Sequence, residues 1–600
     1  MIDILIIGAG PSGLCTAKTL LQQDAAAKVV LIDGRATAGG VWAREKLYPT
    51  LRTNNLFTSL DFTDFPMDAA RFGVGPGQHI TGDQMHAYLT AYAEHFGIAD
   101  KIRFNTKAVN VRRRDGNGAA AGGGGWDVEL EGGEVLQCRK LVVATGVLNE
   151  PSLPRIDGIE SFGAPFLHSC DLGPQAHTLT EDPQISTVAV LGGGKSAYDA
   201  VYLAATSGHR VEWIIRRSGR GPSWVFPTHT MLGPVRAWRE QLVLRRVLSF
   251  MSPCVFPDLS GLGWLRRFLH TSAVGRFVAS KFWAAIHADT VRDCRFRADP
   301  RFAVLEPEHS PFWYGTSSGT LNYDIDFLDL VSSGRVRIHR ADISHVSHRT
   351  IHLVAEDSNT AAGAGYGTVK PAEVPTTELS VDALVAATGY ASKPSISFSP
   401  ATLLGDLGVP ATTLDTEQTA FWAKLDAKAD GTIRQQFPQL IPGPRRSAVQ
   451  HSTTPWRLYR GIAPPNLAAA GDRSLVFVGI FSNIANTMRL EVQSLWAAAY
   501  LSGKIAHLDD DDDDDSQEEK KGRIYAATAL AQRWAMHRAP FGHGAAYPDL
   551  VFDQLPYLDL LLHDLGLETR RKPTALRELF EAYSQADYRG IVDEWLAKQA

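Results

Sequence analysis

The sequence predicts an α/β fold of two Rossmann-like, three-layer dinucleotide-binding domains, with a helical insert and a helical C-terminal extension. Three observations carry that reading. Apolar Ile4-Leu5-Ile6-Ile7 runs straight into Gly8-Ala9-Gly10-Pro11-Ser12-Gly13, Thr187–Leu191 runs into Gly192-Gly193-Gly194-Lys195-Ser196-Ala197, and an Ala-Thr-Gly turn closes a buried apolar run twice, at 144–146 and 387–389. A strand feeding directly into a glycine turn and a helix is the repeating unit of a doubly wound parallel sheet. Two such units suit 600 residues, too many for one ordinary domain.

In the first unit the spacing of the glycines sets the chemistry. Gly8 permits the tight turn, Gly10 leaves room for a pyrophosphate against the backbone, and Gly13 lets the helix pack close to the strand. Pro11 and Ser12 open that helix, whose first amides face the phosphates. The next strand, Lys28–Ile32, ends in Asp33. Its carboxylate can accept from a ribose 2′-hydroxyl and repels a 2′-phosphate, so the first site is expected to hold FAD or NAD rather than NADP.

Composition excludes several classes of function. A formal charge of -5 and a pI near 6.4 leave no basic face for nucleic acid. Cys15, Cys138, Cys170, Cys254 and Cys294 are odd in number and form no CxxC pair, which suits a reducing compartment and speaks against a dithiol reductase. The N-terminal apolar run belongs to the first strand, with no charged leader before it, and no run reaches the roughly 18 apolar residues that span a bilayer. A cytoplasmic enzyme is expected.

After Asp33 come Gly39-Gly40-Val41-Trp42, Tyr48-Pro49, Leu51-Arg52-Thr53-Asn54-Asn55 and Phe62-Thr63-Asp64-Phe65-Pro66. By themselves, Gly39 and Gly40 are a loop passing close to something flat, and Trp42 is either part of that site or a core aromatic. A buried Asn54 needs partners for its amide, from a cofactor or from the protein. The order GGxW, YPxLRTN and F(S/T)DFP resembles the flavin-containing monooxygenases, particularly fungal members that oxidise secondary metabolites. The resemblance covers Ile4 to about Trp496. It implies FAD along Gly40, Val41, Trp42 and Thr53, with Asn54 beside both the flavin and bound NADP.

Strands around Ile102–Val111 and Trp126–Leu136 flank a small-residue hairpin tip at 115–125, and Lys140–Val143 returns to the sheet before Thr145 and Gly146. That turn resembles the crossing from FAD domain to NAD(P) domain in two-domain flavoproteins. In the second unit Gly192, Gly194, Lys195 and Ser196 form the phosphate turn, and Ala197 replaces the third glycine. The following strand, His209–Ile215, ends in Arg216-Arg217-Ser218 instead of an acid. Two guanidiniums and a hydroxyl there indicate a 2′-phosphate, hence NADPH. Opposite preferences at the two sites imply electron transfer from NADPH to FAD.

Residues 221–300 are rich in aromatics and read as an apolar, mainly helical insert. A cap lining a substrate entrance is the preferred reading; the alternative is a membrane-surface patch over Leu262–Arg276. Tyr323–Leu330 and Val336–Ile338 read as helix and strand, Asp357–Thr377 as a loose insertion, and Ala383–Tyr390 as the second closing strand with Thr388 and Gly389. Ser474–Gly479 and a helix from about Asn486 complete the first domain; in related flavoproteins this turn's amides approach the flavin pyrimidine edge. Asp509–Asp515 is a solvated acidic run without fixed metal geometry. The expected organisation is an FAD domain (1–160 and 390–505), an NADPH domain (161–389), an acidic linker (506–521) and a helical extension (522–600) that is centred on Leu555–Leu562 and covers the domain junction.

Phe162 and His168 match part of the F-x-G-x-x-x-H signature of this monooxygenase class, whereas Ala164 and Leu172 depart from it and the trailing Trp-Pro of Baeyer–Villiger enzymes is missing. His168 is expected to fix the interdomain linker. No Ser-His-Asp, paired-carboxylate or metal-ligand arrangement stands out, and the cofactor supplies the difficult chemistry. The resemblance implies that FAD reduced by NADPH forms a C4a-hydroperoxide with O2, shielded by NADP+ and Asn54, and passes one oxygen to a small organic substrate. A Baeyer–Villiger-type ketone monooxygenase and a non-oxygenating NADPH reductase or oxidase stay open.

Overall fold

The computed structural model describes residues 1–114, 124–232, 234–354, 376–444, 453–509 and 516–599. The hairpin tip at 115–123, the loose insertion over 355–375 and the acidic run at 510–515 lie outside these residues.

The first sheet is built on Ile2–Ile7, which runs parallel to Val29–Ile32 on one side and to Val135–Val143 on the other. Leu5, Ile6 and Ile7 are buried, as expected for a strand covered on both faces. The segment read as Lys140–Val143 is the end of one nine-residue strand that begins at Val135. Its first part pairs antiparallel with Gly125–Leu130 and its last part parallel with Leu475–Phe477, so the C-terminal part of the chain returns beside the N-terminal strand.

The helix Pro11–Gln23 follows the first turn and packs against Asn486–Leu501, with Thr16 Oγ1 and Ser494 Oγ 3.0 Å apart. Thr487–Leu501 is buried throughout. A helix enclosed on all sides has no solvent stripe, which is why its sequence lacks a clean amphipathic period.

The second sheet orders Val336–His339, Arg210–Ile214, Thr187–Leu191, Ala383–Ala386 and Phe166–His168, all parallel. The antiparallel strands Ile343–Ser347, Thr350–Val354 and Thr376–Ser380 form a separate three-stranded layer. The two Ala-Thr-Gly turns lead into one joint: Pro151 bridges Tyr390, and Ser152 N donates to Gly389 O at 2.9 Å.

Several boundaries differ from the sequence reading. The helix expected from Tyr323 starts at Phe327, because the Asp326 carboxylate caps it by accepting from Leu328 N. The insert opens with strands, Val225–Pro227 pairing with Gly319–Leu321 and His229–Leu232 with Val235–Trp238, before its helices Gly263–Thr271 and Ala273–Asp293. In the Leu262–Arg276 region Trp264 is 65% exposed, yet Arg266, Leu269 and His270 are buried. Among the described residues no helix is long and apolar enough to cross a membrane.

Residues 517–521, expected in the linker, are the first turn of the helix Gln517–Arg538, with a capping box between Ser516 and Glu519. The extension then ties the parts together. Asp549 accepts from Thr316 N at 2.9 Å, while Ser482 N donates to Pro548 O at 3.0 Å. Buried Arg246 of the insert meets Asp559 and, at 2.6 Å, Glu578.

Candidate active site

Three loops converge at the end of the first strand. A Cβ on Gly13 would lie 1.9 Å from Gly8 O, so helix and strand can approach this closely only with glycine there. Gly10 faces Gly40, with 3.4 Å from its ideal Cβ position to Gly40 Cα. Gly479, at φ +87°, turns beneath Ser12, whose Oγ is 2.5 Å from where a Cβ would stand. The result is a cradle walled by backbone at Gly10, Gly40 and Gly479, at the first turn of a helix that begins with Pro11. Such a surface offers amides and helix-end charge to a pyrophosphate.

Asp33 closes this turn from behind. It is buried, and its two oxygens accept from Ala9 N at 2.8 Å and Arg35 N at 2.9 Å. Each oxygen keeps a lone pair for a further donor. Val41 is exposed; Trp42 packs on the first hydrophobic core, and its carbonyl meets His86 Nδ1 at 3.1 Å.

Asn54 is exposed, so its amide is not obliged to find its partners within the protein. The reason is strand alternation: on Arg52–Leu56 the side chain of Thr53 turns inward and that of Asn54 outward, where its Oδ1 accepts from Thr320 N at 3.3 Å. Thr53 is buried, its hydroxyl donating to Asn55 O at 2.7 Å and accepting from Ile80 N at 3.1 Å.

This strand is also where the two domains meet. Asn322 donates to Arg52 O at 3.2 Å and Thr53 O at 3.0 Å, and accepts from Lys195 Nζ at 2.9 Å. Arg52 and Asp324 form a bidentate pair at 2.6 Å.

Lys195 therefore does something other than what the glycine turn suggests. Its ammonium turns back into the second domain, onto Asp199, Asn322 and the Tyr323 hydroxyl at 3.1 Å. A partly buried ammonium takes the nearest anion, and Asp199 lies four residues along the same helix face. Gly194 keeps an open side, with only Ser223 Oγ at 3.9 Å, and Ser196 is exposed beside it. Gly192 packs on the second Ala-Thr-Gly turn, 2.3 Å from its ideal Cβ to Ala387 O.

At the far end of the second unit, Arg217 Nε donates to Arg340 O at 2.6 Å, and burial together with the Arg217 charge pulls the Arg340 pKa down. Arg216, half-buried, lies with its side chain against Gly219, and Ser218 is held by Asp342. Arg340 was missed in the sequence because it follows a different strand, Val336–His339.

The closing turns are joints. Thr145 O accepts from Asn149, and Thr388 Oγ1 donates to Ser152 O at 2.6 Å; Thr145 and Gly146 are half-buried. His168, 2% exposed, accepts from Cys170 N through Nδ1 and contacts Gly389 O through Nε2 at 3.0 Å. That pattern fixes a neutral ring with the proton on Nε2, and burial holds its pKa below the ordinary value. His168 ties its strand to the second closing turn.

Sequence reasoning missed two features. Glu240 reaches from the insert to Asn55 and Ser59, and burial pushes its carboxyl up to about 8. A cavity of about 160 Å³ lies between Phe256 of the insert, Phe481 after the last turn, and the C-terminal extension. Neither leaves a local signature, since each depends on contacts across hundreds of residues.

The FAD-dependent monooxygenase rstn6 of Aspergillus nomiae is 32% identical over 607 residues, covering 100% of this chain and 99% of its own. The FAD-dependent monooxygenase resA of Aspergillus sclerotiorum is 33% identical, with 100% and 99% covered. The chain belongs to the FAD-dependent monooxygenases.

Residues 5–233 of this FAD-dependent monooxygenase also match the pyridine nucleotide-disulphide oxidoreductase family. That family's name does not extend to dithiol chemistry here: all five cysteines are free, four of them buried, and burial raises their thiols. Among solved structures, an open cyclohexanone monooxygenase matches at TM-score 0.53 and 14% identity, covering 100% of this chain and 98% of that one. A steroid monooxygenase bound to NADP matches at TM-score 0.52 and 18% identity, covering 95% and 98%. These two likenesses show the fold. The bare backbone at Gly10, Gly40 and Gly479, with Asp33 behind it, suits the FAD that the family requires.

Proposed function

We propose that this FAD-dependent monooxygenase takes its electrons from NADPH and adds one oxygen atom of O2 to a small organic substrate of fungal secondary metabolism. The observation carrying the reading is the opposed charge of the two nucleotide-binding strand ends. Asp33 stands at the first; Arg216 and Arg217 follow the second, where Arg217 meets Arg340. Guanidiniums at the end of this strand, where the first unit has an acid, match the multiply charged oxygens of a ribose 2′-phosphate.

Bound FAD supplies hydride acceptance and O2 activation. The chain's residues hold and shield it. The cradle of Gly10, Gly40 and Gly479 anchors the pyrophosphate, while Pro11, Ser12 and the helix behind them supply the positive end of a dipole. Gly194 and Ser196 leave the second phosphate turn open, and Arg216, Arg217 and Arg340 orient the ribose phosphate. Asn54, held outward between the domains by Thr320, offers its amide to the nicotinamide side.

The test is anaerobic reduction of the purified yellow protein with NADPH, compared with NADH, followed by rapid mixing with oxygenated buffer. The reading expects faster reduction by NADPH and a long-lived absorbance between those of reduced and oxidised flavin. Immediate reoxidation with peroxide release, even with substrates present, favours a reductase or oxidase instead.

A further inference from the structure

One residue in the wall of the cavity, Gln532, carries a buried oxygen without a hydrogen-bond partner among the described residues. Phe256, Trp456, Leu458, Phe481 and Tyr557 supply apolar and aromatic surface, and Gln532 of the helix Gln517–Arg538 adds a carboxamide to the lining. Three other polar side chains of the wall are satisfied. Tyr557 OH donates to Arg460 O at 2.8 Å and accepts from Gln493 at 2.8 Å; Thr528 donates to Ile524 O at 2.8 Å; Arg460 is bidentate on Asp564.

Gln532 differs from all of these. It is 5% exposed, and its Oε1 is shielded from solvent with no hydrogen-bond partner among the described residues. An unpaired buried acceptor costs about 1–3 kcal/mol. A hydroxyl meets that need best, because it both donates and accepts and so satisfies a carboxamide in either orientation.

Size narrows the ligand further. An apolar cavity of roughly 150 Å³ takes a benzene-sized molecule, and this one measures about 160 Å³. Position connects it to the cofactor: Phe481 lies two residues beyond Gly479, which turns beneath Ser12 in the first glycine turn.

We propose that this cavity is the substrate pocket, and that it takes an apolar ring or short chain of about six to nine carbons bearing one hydroxyl, held by Gln532. The assignment rests on the monooxygenase reading and adds the substrate class to it.

The experiment is calorimetric titration of the FAD-loaded protein with p-cresol and with toluene, which match in shape and differ in the hydroxyl, while the flavin spectrum is recorded. One net hydrogen bond predicts p-cresol binding about tenfold tighter than toluene, with a perturbed flavin spectrum. In Gln532→Met, close in size and apolar, that preference falls to about one, with toluene binding retained. Filling the pocket by Ala527→Phe removes both. Equal affinities in the wild type, a preference unchanged in Gln532→Met, or binding that leaves the flavin spectrum unmoved overturns the assignment. Failure of the monooxygenase reading looks different: cresol selectivity persists, but NADPH and O2 yield only peroxide.

Discussion

Glu240 accepts a hydrogen bond from Asn55 Nδ2 at 2.7 Å, and the same nitrogen donates to Ile484 O at 3.1 Å. One amide thus joins the insert, the strand that carries Asn54 and the turn leading to the helix Asn486–Leu501. The joint also has a pH dependence. Burial holds the Glu240 carboxyl up at about 8, against about 4.5 for a free glutamate, and buried Glu491, which accepts from Thr63 at 2.9 Å, is likewise raised to about 8. Both folded pKa values lie above the unfolded ones. Their contribution to stability is therefore fully present below about pH 4.5 and is lost as pH rises to about 8. Melting temperature should fall across that window, and Glu240→Gln, which cannot ionise, should flatten the decline. A decline equally steep in the variant would remove Glu240 as its source.

The FAD cradle makes a steric prediction. Gly479→Ala places a methyl 2.5 Å from Ser12 Oγ at a φ of +87°, and a side chain in that left-handed region costs about 1–2 kcal/mol by itself. The purified variant should lose most of its flavin absorbance. Ser12→Gly in the same chain removes the clash and leaves only the backbone cost, so the double variant should recover part of the FAD. Identical FAD content in single and double variants would show that Ser12 is not the obstacle.

Arg217→Gln tests the nucleotide assignment. Hydrogen bonds to a charged group contribute about 1.5–3 kcal/mol, so losing one guanidinium should raise the KM for NADPH roughly 10- to 100-fold while NADH changes little. Anaerobic flavin reduction at several concentrations of each nucleotide measures this directly. An equal loss for both would mean that Arg217 shapes the strand end and does not read the phosphate.

What the sequence made legible follows from how local each feature is. Gly8–Gly13 and Gly192–Ala197 act through neighbours a few residues away, and spacing alone reveals them. The capping box of Ser516 and Glu519 was equally local, and its S-x-x-E pattern marks a helix start where an acidic linker was expected. Asn54 was harder, because whether a strand residue faces in or out depends on which neighbour pairs with it. Glu240, Arg340 and Gln532 were out of reach: each matters through a partner on another element, and no pattern near the residue announces that partner.

Lys195 is the sharpest divergence between motif and structure, and it yields the last prediction. A lysine in a glycine-rich phosphate turn suggests a phosphate contact, yet its ammonium is held by Asp199, Asn322 and Tyr323, and Asn322 carries the network to the backbone of Arg52 and Thr53. Lys195→Met should therefore act on stability and domain registry more than on nucleotide affinity. It strands the Asp199 carboxylate; breaking a fully buried pair costs about 3–5 kcal/mol, and with side chains 15% and 16% exposed this one should cost somewhat less. The melting temperature should drop by several degrees, and Asp199→Asn in the same chain should restore part of it by removing the orphaned charge. The KM for NADPH should stay within a few-fold of wild type. A large KM increase with an unchanged melting temperature would instead mean that the ammonium leaves this network to meet the nucleotide.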